Sequence, residues 1–199
     1  MKTVLQFLLL TFSFTYLSVQ ADPIGIALDD PVVEISFPDG WEILTSDEVI
    51  AKMKTVKLAD EAFKKKKIEK GNTALIVAQS KYAALTVKRV PYASLEGKSN
   101  QEIVNMLFER MNTVYESTQV VTYPYDVTLG GLKGAYGVLD HTENYMNGKA
   151  TMGRYESWIL RSGKNLYSIS LKYRSANAAK VKEKIRPILD SIRFTKSDS

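Results

Sequence analysis

The chain has 199 residues, no cysteine and six prolines, with 45% hydrophobic and 25% charged residues and a formal net charge of +5. Those proportions suit one globular domain whose core must hold without disulfides. The positive excess is too small to point to nucleic acid as a partner.

The N-terminus reads as an address. Lys2 precedes an apolar run from Val4 to Leu17, broken only by Gln6, Thr11, Ser13 and Thr15, and Val19-Gln20-Ala21 places small residues where a signal peptidase cleaves. The run is short for a bilayer span, which takes about 20 residues. A cleaved secretory signal over 1–21 is the expectation, with an uncleaved anchor as the other outcome, and no later apolar run is long enough to cross a membrane. There is no cysteine for lipid attachment and no Asn-x-Ser/Thr acceptor, so a bacterial periplasm or exterior is the expected compartment. Residues 22–32 read as an extended leader, 33–195 as a single domain and 196–199 as a polar tail.

Val33, Ile35 and Phe37 share one side of a short strand that runs through Pro38-Asp39-Gly40, a turn sequence, to Trp41, which is expected to plug the core. Glu42-Ile43-Leu44 extends beyond it. Ser46 is expected to cap a broken helix over 46–69 that ends near Gly71-Asn72. Residues 73–90 form two strands with a hairpin near Ser80–Tyr82, and the apolar run Ala74–Ala78 suggests a strand buried on both faces. Ser99 and Glu102 make a capping box ahead of Ile103, Val104, Leu107, Phe108 and Met111, which fall on one helical face. From Thr118 to Tyr173 the pattern is strand: 119–123 and 125–129 before the Gly130-Gly131 turn, then 133–143, 150–161 and 165–173, with hairpins at Asn147-Gly148 and Ser162-Gly163. A closing helix carries Val181, Ile185, Ile188, Leu189 and Ile192 on one face, and Pro187 should kink it. Strands joined by hairpins, with helices before, between and after them, make an α+β layer fold with a largely antiparallel sheet.

Several of these segments together resemble the PsbP-like α-β-α sandwich family. They are Phe37-Pro38-Asp39-Gly40-Trp41, the capped helix from Ser99, Val127-Thr128-Leu129-Gly130-Gly131, the Asn147-Gly148-Lys149 hairpin, the tyrosine-rich strand Leu166–Tyr173 and the closing Ile188–Phe194. The family includes the photosystem accessory protein PsbP and bacterial periplasmic proteins similar to DcrB. The resemblance implies a six- or seven-stranded antiparallel sheet flanked by helices on both faces, and a non-catalytic binding or accessory role. It supplies no catalytic residues and no cofactor. The chain departs from DcrB-like members in lacking an anchoring cysteine.

The residues themselves offer five features to weigh. Gly97-Lys98-Ser99 looks like the tail of a phosphate-binding loop, but Tyr92 stands where that motif needs glycine, so it reads as a loop before a helix cap. His141, the only histidine, shares a strand face with Glu143, and Tyr145 could join them; two or three such ligands make a poor zinc site, so no metal is assigned and a metal-assisted enzyme is the minor alternative. Asp140 and Glu156 could approach on neighbouring strands, where salt-bridged carboxylates are the ordinary outcome; there is no Gly-x-Ser-x-Gly elbow and no cysteine nucleophile. Lys52, Lys64, Lys65, Lys66, Lys67 and Lys70 belong to a lysine-rich stretch that is either a solvated helix end or a contact for an anionic envelope surface. Tyr136, Tyr155, Tyr167 and Tyr173 are expected on adjacent strands, as core aromatics with hydroxyls at the rim or as a partner or ligand surface. The expected partner is a protein or small ligand of unknown identity.

Overall fold

Period-two alternation builds most of what the structure describes. The computed structural model describes residues 24–26, 32–45, 47–48, 51, 74–90, 95–115, 117–144 and 150–195. In chain order the elements are β1 (Ile24–Ile26), β2 (Val32–Ile35), β3 (Trp41–Leu44), β4 (Ala74–Ser80), β5 (Ala83–Val90), α1 (Asn100–Asn112), β6 (Thr118–Leu129), β7 (Leu132–Asn144), β8 (Ala150–Ser162), β9 (Asn165–Arg174), α2 (Ala178–Ser191) and β10 (Arg193–Thr195). Seven strands form one antiparallel sheet in the order β3-β4-β5-β9-β8-β7-β6, and a second sheet has the order β1-β2-β10.

Neighbouring residues on a strand point to opposite faces, and α1 and α2 pack on opposite faces of the larger sheet. Trp158 and Leu160 on β8, with Tyr167, Ile169, Leu171 and Tyr173 on β9, join a core that includes Val181, Ile185 and Ile188 of α2 and Val33 and Ile35 of β2. Ile159 and Leu166, on the other face, pack with Ile103, Val104 and Phe108 of α1 and with Ala135 and Leu139 of β7. The α-β-α arrangement follows directly, with the three-stranded sheet sharing the α2 side.

Local signals set the helix ends. Ser99 Oγ accepts the Glu102 N–H at 3.2 Å and Glu102 Oε2 accepts the Ser99 N–H at 2.6 Å, and the second bond holds the Glu102 carboxyl below its usual range. A similar exchange joins Thr45 and Glu48: the Thr45 N–H donates to Glu48 Oε2 at 2.8 Å and Thr45 Oγ1 accepts from the Glu48 N–H at 3.3 Å. The expected cap at Ser46, and nearly all of the helix expected over 46–69, lie outside the described residues. So does the Asn147-Gly148 hairpin. Pro187 sits inside α2 without ending it. Ser191 Oγ, near the helix end, accepts the Ser36 N–H at 2.9 Å and donates to the Ile188 carbonyl at 2.7 Å, tying α2 to the end of β2.

Three expectations need correcting. The segments 119–123 and 125–129 are one twelve-residue strand, β6, whose pairing with β7 shifts register between Val120 and Thr122 and again between Thr122 and Tyr125. Pro124 is tolerated because β6 is an edge strand and the second irregularity surrounds it. Trp41 plugs the core only in part: it packs against the α2-side core from the edge strand β3 and stays half-buried, its ring 5.8 Å from that of Phe37. The run Ala74–Ala78 is not central but lies next to the β3 edge, with Ile76 and Ala78 buried and Val77 half-buried.

Candidate functional site

Cross-strand register decides where the tyrosines go. Tyr136, Tyr167 and Tyr173 share the α2 face, whereas Tyr155 points to the α1 face. Tyr167 is fully buried, its ring 5.2 Å from that of Phe194. Tyr155 packs beside the α1 core, with the Lys172 ammonium 5.4 Å from its ring centroid. Lys52, Lys64, Lys65, Lys66, Lys67 and Lys70 lie outside the described residues, as does Tyr145.

The remaining tyrosines converge on a carboxylate. Tyr136 stands opposite Trp158 and Tyr173 opposite Arg154, so both are diagonal neighbours of Glu156, the residue between those two positions on the same face of β8. The Tyr136 hydroxyl donates to Glu156 Oε2 at 2.5 Å, and the Tyr173 hydroxyl donates to Glu156 Oε1. Glu156 is only 7% exposed. Aromatic rings extend the cluster towards the β6 edge, with Tyr136 4.7 Å from Trp158 and edge-on to Tyr125 at 5.6 Å. Beside it, Arg154 grips Asp140 with two bonds, Nε to Oδ1 at 2.6 Å and Nη2 to Oδ2 at 2.8 Å. Asp140 and Glu156 therefore each have their own partners.

Burial, reinforced by the bond to Glu156 and its charge, pushes the Tyr136 and Tyr173 hydroxyls well above their ordinary value of 10.0. Burial also raises Tyr155. Below pH 10 both the native and unfolded chains hold these protons and the stabilisation is intact. Above it the unfolded chain releases them while the native chain does not, so stability falls as pH rises from about 10. Melting temperature measured from about pH 8 to 11 should drop over that range, and a Tyr136→Phe/Tyr173→Phe variant should show a shallower drop. Parallel curves for the two proteins would refute the assignment.

On the α1 face, His141 is 2% exposed, with its ring 4.1 Å from that of Tyr115 and Nε2 3.1 Å from Glu143 Oε1. The spacing seen in the sequence does bring the two together. Gly153 opposite makes the room: a Cβ there would lie 2.6 Å from His141 Nε2. His141 Nδ1 is buried without a hydrogen-bond partner among the described residues. Among the described residues, no three His, Asp or Glu side chains gather around a common point that could hold a metal. The pair borders a cleft of about 250 Å³ at the end of the sheet, lined by Ser80, Tyr82, His141, Glu143, Lys172 and Arg174 among others. What this arrangement offers is a charged recess with a fixed imidazole; nucleophile and base are not paired in it.

The sequence reading missed the exposed side chains of β6. Val121 is 45% exposed, Tyr123 77% and Tyr125 49%, all within five residues of an edge strand. Their signal was available in Val120-Val121-Thr122-Tyr123-Pro124-Tyr125, a run too rich in apolar side chains for a strand with only one buried face.

No protein-family model matches the chain, and no curated protein matches it. Solved structures resemble it in fold, and PsbP-like proteins are among them. Cyanobacterial PsbP of Synechocystis is 11% identical with a TM-score of 0.48, over 81% of this chain and 86% of that one. The Ran-binding protein Mog1p of Saccharomyces cerevisiae is 10% identical with a TM-score of 0.48, over 86% and 95%. A Bacteroides thetaiotaomicron protein is 13% identical with a TM-score of 0.45, over 84% of this chain but 46% of its own, so the chain spans about half its length.

Proposed function

We propose that this chain is an exported, non-catalytic binding or accessory domain of the cell envelope that docks a protein partner along the β6 edge. The observation that carries the reading is the exposure of Val121, Tyr123 and Tyr125 on a strand whose backbone is protected from casual pairing. Two register shifts and Pro124 blunt the edge against strand addition, as edge strands commonly are. Such an edge disfavours a second copy pairing through its backbone, while its aromatic side chains remain available to a different protein. The non-catalytic part draws support from the engagement of the buried acids: Glu156 by two hydroxyls and Asp140 by Arg154. The signal-like residues 1–21 support export, with 33–195 as the working domain.

A photo-crosslinking residue placed at Tyr123 and expressed in the native host tests this. The expected result is one discrete adduct with another protein in the envelope fraction, formed by a chain whose intact mass begins at Asp22. The same probe at Lys182, exposed on α2, should give none. An adduct of twice the chain mass would make β6 a self-contact, and no adduct from position 123 would sink the docking reading.

A further inference from the structure

The tip of the β4–β5 hairpin carries a charge arrangement that the β6 edge does not explain. Ser80 Oγ accepts the N–H groups of Tyr82 and Ala83 at 3.3 and 3.2 Å and so fixes the turn that presents Tyr82. Around the half-buried Tyr82 ring stand three ammonium groups, from Lys81 in the turn and from Lys180 and Lys184 in α2, each 5.6 Å from the ring centroid. Lys180 and Lys184 are four apart and lie on one side of the helix, flanking the buried Val181 and Ile185. All three lysines are exposed, and among the described residues no carboxylate forms an ion pair with any of them.

Like charges at this helical spacing repel, and although the ring face attracts each ammonium, three on one ring leave a positive excess that an anion would neutralise. The cleft beside Tyr82 extends the positive surface through Arg174, with Glu143 the one acid on its lining.

We infer that Lys81, Tyr82, Lys180 and Lys184 form a membrane-contact patch that seats on the phosphate groups of an anionic lipid surface. Exposed ammoniums spread around a ring, rather than donors converging in a closed pocket, fit a layer of headgroups better than a single free phosphate. A half-buried tyrosine packed against the core is suited to the same depth. The patch deepens the accessory reading by supplying the surface on which the domain would meet the envelope, and it rests on that reading only for its compartment. None of its lysines belongs to the 52–70 run.

Sedimentation with vesicles tests it, using phosphatidylglycerol mixed into phosphatidylcholine against phosphatidylcholine alone. The wild-type chain should bind the acidic vesicles and not the neutral ones at low salt. Each lysine near an anionic surface contributes about a fivefold gain, so Lys180→Gln/Lys184→Gln should weaken binding about 25-fold. A melting curve like the wild type's shows that the variant is folded, as its exposed positions lead one to expect. Changing Lys64, Lys65, Lys66 and Lys67 to glutamine should leave most of the binding in place. No binding to acidic vesicles, or equal binding by the Lys180→Gln/Lys184→Gln variant, overturns the inference. Release by inorganic phosphate at constant ionic strength would mean a small-anion site and overturns it as well. Failure here with a surviving adduct at position 123 removes the patch and leaves the docking reading standing; loss of the adduct with vesicle binding intact does the reverse.

Discussion

Alanine at Gly134 should cost about 3 kcal/mol or more, at the upper end of what overpacking does and a large share of the roughly 5–15 kcal/mol that holds a domain together. A Cβ on Gly134 would lie 2.1 Å from the Ile159 carbonyl oxygen and 2.8 Å from a Leu160 methyl. The first of these is backbone, part of the β7–β8 ladder, and cannot swing aside as a side chain would. Relief must come from parting the two strands, which lie inside the larger sheet between β9 and the β6 edge and carry core residues on both faces. Gly137, three residues further along, gives the comparison. A Cβ there would meet only side-chain atoms of Phe108 and Val104 at 3.0–3.1 Å, so Gly137→Ala should shift α1 slightly and cost about 1 kcal/mol. Denaturant titration of both variants measures the contrast. A Gly134→Ala protein within 1 kcal/mol of wild type would mean that the β7–β8 contact is looser than its geometry.

Elements with many periods were legible in the sequence, and short ones were not. The faces of β9 could be read from alternation alone, and the start of α1 from the Ser99 and Glu102 pair, because each signal is local. The second sheet could not. Ile24–Ile26 and Arg193–Thr195 are three residues long, less than two full alternations, and they meet on β2 from opposite ends of the chain. Phe194 illustrates the difficulty: its N–H donates to the Gly130 carbonyl at 3.2 Å and its ring lies against Tyr167, two partners that no local pattern predicts. The tyrosine cluster was half legible. Period two puts Tyr167 and Tyr173 together on β9, but the face of Tyr155 relative to Tyr136 depends on β7–β8 register, where Tyr155 opposes Leu139. The hydroxyls of Tyr136 and Tyr173 meet on Glu156 only because two hairpin registers agree.

Arg154→Ala should cost about 3 kcal/mol, the lower part of the range for breaking a buried ion pair, since a fifth of the Arg154 side chain is exposed. The cost comes less from the attraction lost than from the charge left behind. Asp140 has a side chain only 10% exposed, and once the guanidinium is gone its nearest donor is the Ser175 hydroxyl at 3.4 Å, a weak substitute for two bonds at 2.6 and 2.8 Å. The same bonds to Asp140 push the Arg154 guanidinium above its usual pKa. The two residues are directly opposed in the β7–β8 register, so the single losses should not add. Asp140→Leu/Arg154→Met, which replaces both with apolar groups, should recover most of the stability lost in Arg154→Ala, because neither charge then remains unpaired. Thermal and denaturant melts of Asp140→Leu, Arg154→Met and the double close that cycle, with Arg154→Ala measured beside them. An Arg154→Ala protein as stable as wild type would mean that Asp140 reaches water, and the polar end of the sheet, with Glu156 beside it, would then be a solvated surface.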